Sequence, residues 1–551
     1  MRNCILQNFP FLEDDFDALT DYELFCKMMA YVRKMSKQFN DFQVRLDKYE
    51  NYFNNLDVQE EINNKLDEMY ENGELDSLIE DFLNLSVMFI YDNLNDLKSA
   101  TNLVDGSNVK TLGYYDINDG GNAYYKIRTK TNEDVIDDKF IVGLSNENLI
   151  AELLYKDINI KSIGAYGDDT HDDSSIIQLA ITKLSSYGGN LILPKATYLC
   201  ENSIVIPDNN SLINIIGNNS TINVNIDTNN SKFITAESVS NYCRITFKDL
   251  IINNNSSVIV DGISLKKVTE RTVIDNVRIA GFNNNIKLEN CWNLTFIKLI
   301  SVNATNNGIE CIDVCNACNF NSCIFINNAV YNIHLVGRGH AFNQCDLSVY
   351  LNDSYNYLDG CSGVSFNGCY YEENNITNGF NIRQCRGISF NGCYFELRSN
   401  IENYIFINSN NSYGIKIQGC EFRSLSTIND NSYLIYIQEG STVTVDTCDF
   451  RDCKKVIYII NSNLSIINNK LDTVTCFITQ NNHIYARIDG NILLASDYSN
   501  CVIPHPEVAN IHINNLILYG NTASRPNGTY IGQQYYNTQT SNLDIYNGTS
   551  W

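Results

Sequence analysis

Residues 390–396 read Phe390-Asn391-Gly392-Cys393-Tyr394-Phe395-Glu396, and the same pattern occurs 24 residues earlier as Phe366-Asn367-Gly368-Cys369-Tyr370-Tyr371-Glu372. A looser copy follows as Ile417-Gln418-Gly419-Cys420-Glu421-Phe422-Arg423. In each copy, apolar and polar residues alternate on both sides of a two-residue corner, which indicates two short strands joined by a bend. A small strand unit that recurs at this length predicts a solenoid.

The position of Cys393 can be followed from about residue 240 to 495. Its equivalents, spaced 21 to 28 residues apart, are Leu250, Val277, Leu299, Cys323, Cys345, Cys369, Cys420, Cys448, Asn469 and Asn491. The residue three before each of them is apolar, as at Phe366 and Phe390, and the residue two after it is usually apolar as well. These columns predict a mainly β fold, a parallel β-helix whose like side chains stack about 4.8 Å apart from turn to turn.

Cysteines follow the same repeat. Six consecutive turns carry Cys at the reference position, and a second file eight residues earlier contains Cys291, Cys315, Cys361 and Cys385. The segment with Cys311, Cys315, Cys318 and Cys323 includes a CxxC pair, so a zinc site is the alternative. We interpret the thiols as packing groups of a narrow interior. Stacked neighbours have parallel Cβ directions, which disfavours disulfides, and 19 cysteines without a secretion signal indicate reduced thiols.

The first hundred residues carry a different period. Apolar residues spaced alternately by three and four predict a coiled-coil helix over residues 21–56, at Phe25, Met28, Val32, Met35, Phe39, Phe42, Leu46, Tyr49, Phe53 and Leu56. Aromatic residues at several of these positions favour three strands over two. The alternative is one amphipathic helix that packs on its own domain. Residues 58–83 predict two further short helices around a turn.

Length and charge limit the classes of function. A chain of 551 residues predicts several modules. Its 39 Lys and Arg against 64 Asp and Glu give a net charge of −25, which argues against a nucleic-acid partner. No apolar run approaches the ~20 residues that cross a bilayer, and the first residues open no signal peptide, so we expect no membrane insertion.

Residues 157–200 supply a specific motif. They include Gly164-Ala165-Tyr166-Gly167-Asp168-Asp169-Thr170-His171-Asp172-Asp173-Ser174, then a helical segment over 176–184, Gly188-Gly189 and a strand ending at Pro194. This resembles the pectate-lyase-like parallel β-helix family found in phage tailspikes, and the resemblance implies a right-handed coil. Asp169 and Lys195-Ala196 depart from the family pattern. We expect Asp172, Asp173 or Ser174 to cap a helix that closes the coil; the alternative for the acidic cluster is a calcium site.

Three other segments are similar to phage appendage proteins. They are residues 111–127, which begin Thr111-Leu112-Gly113-Tyr114-Tyr115, the C-terminal residues 522–551, and the stalk around residues 57–67. The resemblance implies a homotrimeric virion appendage of tail or neck, assembled in the host cytoplasm. It would attach to other virion proteins through its stalk and bind a host cell-surface polysaccharide. The expected modules are a helical stalk (1–85), a small β-rich neck (86–156), the parallel β-helix (157–505) and a short C-terminal β-module (506–551).

Two outward columns are the candidate site. The positions one after the reference residue are Asp346, Tyr370, Tyr394, Glu421 and Asp449, and the positions three after it are Glu372, Glu396, Arg423, Arg451 and Asp472. Aromatic faces beside carboxylates and guanidinium groups suit sugars, so Tyr370, Tyr394, Glu421, Arg423 and Arg451 are candidate substrate-binding residues. Glu372 and Glu396, one turn apart, are the candidate catalytic pair of a glycoside hydrolase. The alternative is a self-neutralising charge ladder on a solvated face.

His340 falls on an interior position and is interpreted as a core histidine rather than a general base. The motifs of polygalacturonases are not found, nor is a pectate-lyase calcium cluster, so no cofactor is assigned. We expect recognition of a host glycan, with its depolymerisation left open. The alternatives are a non-enzymatic adhesin on the same scaffold and a free bacterial polysaccharide lyase; the heptad stalk argues against the latter.

Overall fold

The computed structural model of the chain describes residues 21–53, 65, 68–72, 74, 88–208, 211–239, 243–269, 271–350, 355–373, 378–397, 405–424, 433–453, 455–472, 476–481, 484–494, 509–514, 517–520, 534–537, 539–547 and 549–550. The chain divides into two units, Met1–Met88 and Phe89–Trp551. No helix within these described residues is both long and apolar enough to span a membrane.

The first unit contains one long helix, Asp21–Phe53. Its predicted apolar stripe faces solvent, since Val32, Met35, Phe39, Phe42, Leu46 and Tyr49 are each between 45% and 67% exposed. The helix predicted over residues 21–56 is confirmed over Asp21–Phe53. Most of residues 58–83, where two short helices were expected, lies outside the described residues.

The second unit begins with a five-stranded sheet in the order Met88–Tyr91, Asn108–Thr111, Ala123–Thr129, Leu149–Leu154 and Ile141–Gly143. The last four strands pair antiparallel. A five-residue helix, Leu94–Lys98, buries Leu94 and Leu97 against this sheet's core. The segment that carries the motif of residues 111–127 supplies one strand of the sheet and part of another.

The rest of the unit is a parallel β-solenoid of about 15 turns, as the repeat predicted, and of the right-handed type. Most turns contribute a strand to each of three sheets, here named sheets 1, 2 and 3 in the order in which a turn visits them. Sheet 1 contains Ile158–Asn159, Gly189–Ile192, Leu212–Val224, Arg244–Asn254, Val273–Ala280, Thr295–Ile297, Asn319–Asn321, Ala341–Asn343, Ser365–Asn367, Ser389–Asn391, Ile415–Gln418, Thr442–Asp446, Asn463–Ile467, Ile484–Asp489 and Ala509–Asn514.

Sheet 2 follows a corner, which the three long strands Leu212–Val224, Arg244–Asn254 and Val273–Ala280 cross without ending. Its separate strands are Asp168–Asp172, Thr197–Cys200, Ile300–Val302, Ile324–Ile326, Tyr370–Glu373, Tyr394–Leu397, Glu421–Ser424, Asp449–Arg451, Lys470–Asp472, Ile492–Leu494, Ile517–Gly520, Gln534–Asn537 and Asn542–Ile545. The last two strands form an antiparallel hairpin, and Gln534–Asn537 pairs in parallel with Ile517–Gly520. Parallel pairing therefore continues past residue 505.

Sheet 3 has twelve parallel strands. They are Ile204–Ile206, Ser231–Glu237, Val260–Lys266, Asn284–Glu289, Asn307–Ile312, Tyr331–Leu335, Tyr355–Asp359, Asn378–Arg383, Ile405–Asn410, Tyr433–Gln438, Lys455–Ile460 and Cys476–Asn481. A second corner then leads back to sheet 1, where Cys315–Asn316 and Gly337–Arg338 form a small two-stranded sheet. A 3-10 helix, Ile160–Ile163, precedes the first complete turn.

The corner between sheets 1 and 2 has one backbone conformation in every turn. The residue before each reference position has a positive φ, between 49° and 63° in all eleven turns. Glycine fills this place at Gly368, Gly392, Gly419 and Gly490 and asparagine at Asn276 and Asn468, whereas the remaining turns use Asp249, Lys298, Ser322, Gln344 and the β-branched Thr447. Left-handed backbone favours Gly and Asn, which explains the Asn-Gly pairs of the sequence.

The interior columns stack as the repeat predicted. Along sheet 1, rings of Phe296, Phe320, Phe342, Phe366 and Phe390 lie parallel, with centroids 4.3 to 4.9 Å apart. Along sheet 2, Phe395, Phe422 and Phe450 repeat this arrangement. The cysteines of the two predicted files are buried, and their thiols point at carbonyl groups of the preceding turn, as Cys393 Sγ does at the Phe366 oxygen at 3.3 Å.

Helix Ser174–Leu184 closes the first turn of the solenoid. It buries Ile177, Ala180, Ile181 and Leu184, while Ile176 and Leu179 are partly buried against the same core. The Asp172 carboxylate accepts from the backbone N–H of Ser174, which satisfies a donor at the start of the helix.

Replacing Gly392 tests the left-handed corner. An added Cβ would meet no atom within 4 Å, so backbone conformation alone decides the outcome. We expect Gly392→Asn to be nearly neutral, because Asn occupies the same corner at Asn276 and Asn468. A β-branched residue is unfavourable there, so Gly392→Val should lower the free energy of unfolding by about 1–2 kcal/mol or more. Equal thermal unfolding of the two variants would contradict this account.

Candidate functional site

The two predicted outward columns exist on sheet 2. Strand pairing aligns Tyr370 with Tyr394, Tyr394 with Glu421, and Glu421 with Asp449. Asp346 joins this first column through an isolated bridge to Tyr370. In the second column, pairing aligns Glu372, Glu396, Arg423, Arg451 and Asp472 in that order. The seven site residues named from the sequence therefore lie on one surface over four consecutive turns.

Tyrosine and glutamate contact each other within each of two turns. The Tyr370 hydroxyl donates to Glu372 Oε2 at 2.7 Å, and the Tyr394 hydroxyl donates to Glu396 Oε2 at 2.6 Å. The two tyrosine rings lie one above the other, 5.6 Å apart and within 8° of parallel. Strand pairing holds the two Tyr–Glu units in the same orientation, one turn of about 4.8 Å apart.

The side chains of Glu372 and Glu396 are less exposed to solvent than those of a solvated charge ladder would be. Glu372 and Glu396 are each only 6% exposed, whereas Arg423 and Arg451 in the same column are exposed. Tyr370 and Tyr394 are partly exposed and contact the glutamates through their hydroxyl groups. A molecule approaching this surface therefore meets the tyrosine rings and only a small part of each carboxylate.

Asp346 is a third carboxylate of this surface, and it lies one turn before Glu372. Its side chain accepts from the backbone N–H of Ser348 at 3.0 Å and from the Ser348 hydroxyl. The same Ser348 hydroxyl accepts from the backbone N–H of Glu372 at 2.9 Å. Burial, and secondarily the nearby charge of Glu372, raise the pKa of Asp346 above its ordinary value. These causes favour the protonated form of Asp346.

Arginines neutralise the far end of the columns. Arg451 forms an ion pair with Asp449 at 2.7 Å and a longer one with Glu421 at 3.6 Å. Arg423 interacts with the Tyr394 hydroxyl, which also donates to Glu396. The surface therefore changes from carboxylates and tyrosines to ion pairs within three turns, so its two ends present different chemistry to a ligand.

The other residues singled out in the sequence lie elsewhere. His340 is buried, as expected; its Nδ1 accepts from the Cys318 backbone N–H at 3.3 Å, but its Nε2 has no partner within the described residues. Burial lowers the pKa of His340 to about 4. Cys311, Cys315, Cys318 and Cys323 are buried in the interior, and the described part of the chain contains no group of three or more side chains placed to hold a metal ion.

The acidic cluster near residue 170 has protein partners. Asp168 accepts from the backbone N–H groups of Thr170 and His171 and contacts the His171 ring at 2.7 Å. Asp173 accepts from the N–H groups of Tyr166 and Gly167 at 2.7 and 3.0 Å. These contacts shape the loop before helix Ser174–Leu184, and they account for two of the four aspartates without an ion.

No protein-family model and no curated protein matches this chain. Solved structures of phage tailspikes are similar to it, among them gp42 of Acinetobacter phage vb_AbaP_AS12, at 11% identity over 84% of this chain and 76% of that one, with a TM-score of 0.49. The gp49 tailspike of Acinetobacter baumannii bacteriophage Fri1, a capsular polysaccharide depolymerase, has 13% identity over 81% and 77%, with a TM-score of 0.37. The Streptococcus pneumoniae adhesin PfbA has 13% identity over 59% and 100%, with a TM-score of 0.40. The similar structures thus include both tailspikes and an adhesin, and function has to be argued from this chain's own surface.

The raised pKa of Asp346 makes stability depend on pH in a defined direction. The folded protein holds this proton more tightly than the unfolded chain, so stability falls as pH rises from about 3.9 through the folded value. We expect Asp346→Asn to remove this slope, so that the variant's melting temperature rises relative to wild type between pH 4 and pH 7.

The matched control is Asp313→Asn, at an exposed corner residue, which should leave the pH profile unchanged. Because Glu372 contributes to the shift, Glu372→Gln should flatten the profile in part. Parallel pH profiles for wild type and Asp346→Asn, measured by thermal unfolding, would contradict the assignment.

Proposed function

We propose that this protein is a phage tailspike or similar virion appendage that binds a bacterial surface polysaccharide through the outer face of sheet 2. The observation that carries the proposal is the pair of stacked tyrosines, Tyr370 and Tyr394, each hydrogen-bonded to a glutamate of its own turn. The motifs that resemble phage appendage proteins at residues 111–127, 157–200 and 522–551 support the assignment to a virion.

Sugar recognition needs apolar faces beside oriented hydrogen-bonding groups. Tyrosine rings supply flat faces for the C–H side of a pyranose, and their hydroxyls stay polar. Carboxylates accept hydrogen bonds from sugar hydroxyls, and exposed Arg423 donates to hydroxyl or acidic substituents. Because strand pairing repeats this set from turn to turn, the surface suits a polymer whose own units repeat.

Cleavage of the bound glycan is a second candidate function. Retaining glycosidases place two carboxyl groups about 5–5.5 Å apart, close to the distance between adjacent turns. Glu372 and Glu396 form such a pair in adjacent turns. Asp346 aligns with Tyr370 rather than with Glu372, but the charge of Glu372 contributes to the raised pKa of Asp346, so Asp346 is a second candidate partner of Glu372. The raised pKa favours Asp346 as the proton donor.

The N-terminal helix is proposed to join three copies of the chain and to attach them to other virion tail or neck proteins. Its apolar stripe is exposed in the isolated chain, with Phe39 at 67% and Phe42 at 60%. An apolar stripe with this spacing is covered in water by packing against other helices. The proposed modules remain the stalk to residue 85, the neck to 156, the β-helix and the C-terminal β-module.

Binding is tested with polysaccharides extracted from a panel of bacterial strains, immobilised and probed with purified protein. Loss of a stacked ring costs about 0.5–1.5 kcal/mol, so Tyr370→Ala and Tyr394→Ala should each weaken binding to a retained polysaccharide about three- to tenfold. Tyr413→Ala, at an exposed tyrosine of the opposite corner, is the control and should bind as wild type does. Unchanged binding by both site variants would refute the sheet 2 surface.

The same polysaccharide separates the enzymatic candidates. After incubation, shorter products with new reducing ends and no ultraviolet-absorbing double bond indicate hydrolysis. Shorter products that carry such a double bond indicate a lyase, and unchanged length with retained binding indicates an adhesin. For a hydrolase, Glu372→Gln should abolish cleavage while binding persists. Loss with Asp346→Asn but not with Glu396→Gln identifies Asp346 as the partner of Glu372, and the reverse identifies Glu396. Cleavage that survives all three changes would exclude this cluster.

The stalk is tested by native mass measurement. Wild type is expected to be a trimer, and Phe39→Glu with Phe42→Glu should give monomers, because charge in the apolar stripe prevents helix packing. The control exchanges two polar residues of the same helix, Lys37→Glu and Asp41→Lys, which should leave the mass unchanged. A monomeric wild-type protein would remove the proposal.

A further inference from the structure

A second continuous column lies on the outer face of sheet 3. Strand pairing aligns His334, Tyr357, Asn381, Asn408, Tyr436 and Tyr458 in this order, each in the next turn. All six are partly exposed, whereas their neighbours Leu358, Ile382 and Ile437 are buried in the interior. The column therefore presents its side chains to solvent along the axis of the coil. We refer to it as the sheet 3 column.

Aromatic rings gather at the beginning of this column. The His334 and Tyr357 rings lie 5.2 Å apart and within 19° of parallel. Tyr331, at the start of its strand, places its ring 5.2 Å from His334 and 5.3 Å from Tyr357, and Tyr355 packs edge-on against it at 4.9 Å. Tyr331, His334, Tyr355 and Tyr357 together form the first platform.

A second group of rings lies farther along the column. Tyr436 and Tyr458 are 5.1 Å apart and within 8° of parallel. Tyr433 lies 4.8 Å from Tyr458 at an angle of 51°. These three residues, all partly exposed, form the second platform.

Amides occupy the two turns between the platforms. Asn381 and Asn408 are the column members there, and Asn408 Oδ1 accepts from Gln438 Nε2 at 2.9 Å. Tyr357 and Tyr436 are three strand steps apart, about 14 Å along the axis. This separation is longer than one pyranose ring, so a single sugar cannot contact both platforms.

We propose that the sheet 3 column binds a linear oligosaccharide along the coil axis, with a sugar ring stacked on each platform and the amides hydrogen-bonded to hydroxyls between them. This inference rests on the proposed function as a glycan-binding protein and assigns it a binding site that the sequence did not indicate. The six members of the column carry no carboxylate or cationic group, whereas Glu310 aligns with His334 in the preceding turn and Arg383 contacts the Tyr357 hydroxyl. The aromatic and amide part of the column therefore suits the neutral part of a glycan. Burial lowers the pKa of His334, which keeps the imidazole neutral as well.

The competing occupant of the sheet 3 column is a second copy of the chain. Cores of subunit interfaces are apolar and closely packed. The sheet 3 column instead combines partly exposed hydroxyls and amides, and its rings are separated by two polar turns. This pattern matches the alternation of C–H faces and hydroxyls in a glycan better than it matches a second protein surface.

The test uses oligosaccharides made by partial acid hydrolysis of the polysaccharide that wild type retains, separated by size from two to eight sugars. Long fragments engage both platforms at once, so Tyr357→Ala and Tyr436→Ala should each weaken their affinity about tenfold in calorimetry. Fragments of two sugars occupy one platform at a time. For these short fragments, Tyr357→Ala or Tyr436→Ala should leave the affinity of the remaining platform nearly constant and lower the number of fragments bound per chain.

Three controls make the outcome decisive. Tyr357→Phe keeps the ring and should retain long-fragment affinity within about twofold, and Tyr413→Ala should behave as wild type. If an alanine variant fails to fold, as judged by thermal unfolding, Tyr357→Leu and Tyr436→Leu replace it. Native mass is measured in parallel, and a lowered oligomeric state in the column variants would assign the surface to subunit contact instead.

Unchanged long-fragment affinity in both variants, while Tyr370→Ala weakens binding, would overturn the sheet 3 site and leave the proposed function intact. If wild type retains no polysaccharide of the panel, the proposed function fails first, and the sheet 3 site fails with it.

Discussion

Parallel strand pairing between successive turns, in constant register along most strands, is the constraint on which the molecule depends. It forces each side chain to lie on its counterpart in the next turn, so a residue is acceptable only if it tolerates a copy of itself or a compatible partner about 4.8 Å away. Phenylalanine rings satisfy this condition by parallel stacking, as Phe342 and Phe366 do at 4.9 Å. Small thiols satisfy it near the corner, where the interior is narrow and each sulfur points at a carbonyl group of the preceding turn.

The same constraint explains how much the sequence could predict. Sheet 1, the corner and the start of sheet 2 are joined by segments of nearly constant length, so the columns around Cys369 and Cys393 repeat visibly and are confirmed. Sheet 3 follows a turn whose length changes: Tyr357 comes 12 residues after Cys345, whereas Tyr436 comes 16 residues after Cys420. The column on sheet 3 therefore has no constant spacing in the sequence, although its residues are aligned in space. Only strand pairing reveals it.

The burial of the outward-facing glutamates is the other property that could not be predicted from the repeat. Alternation places Glu372 and Glu396 on the outer side of the strand, and from this a solvated ladder was one expectation. They are nevertheless only 6% exposed, and each accepts a hydrogen bond from the tyrosine of its own turn, a contact that depends on side-chain conformation rather than on position in the repeat. The pKa shift of Asp346 has the same origin, since burial is its largest cause. Sequence thus locates the carboxylates, and the structure determines their electrostatic environment.

That environment bears on whether the glutamates are a structural or a functional feature. Carboxylates removed from water and placed in adjacent turns repel each other, and their desolvation opposes folding. A structural ladder would gain stability from alternating signs, as Arg451 does with Asp449 and Glu421. Glu396 aligns with Arg423 in the next turn, so the column alternates in sign there as well, while Asp346, Glu372 and Glu396 accept hydrogen bonds from serine and tyrosine hydroxyls. The proposed glycan site therefore depends on these hydroxyl–carboxylate contacts and on the stacked tyrosine rings, and not on a missing counter-charge.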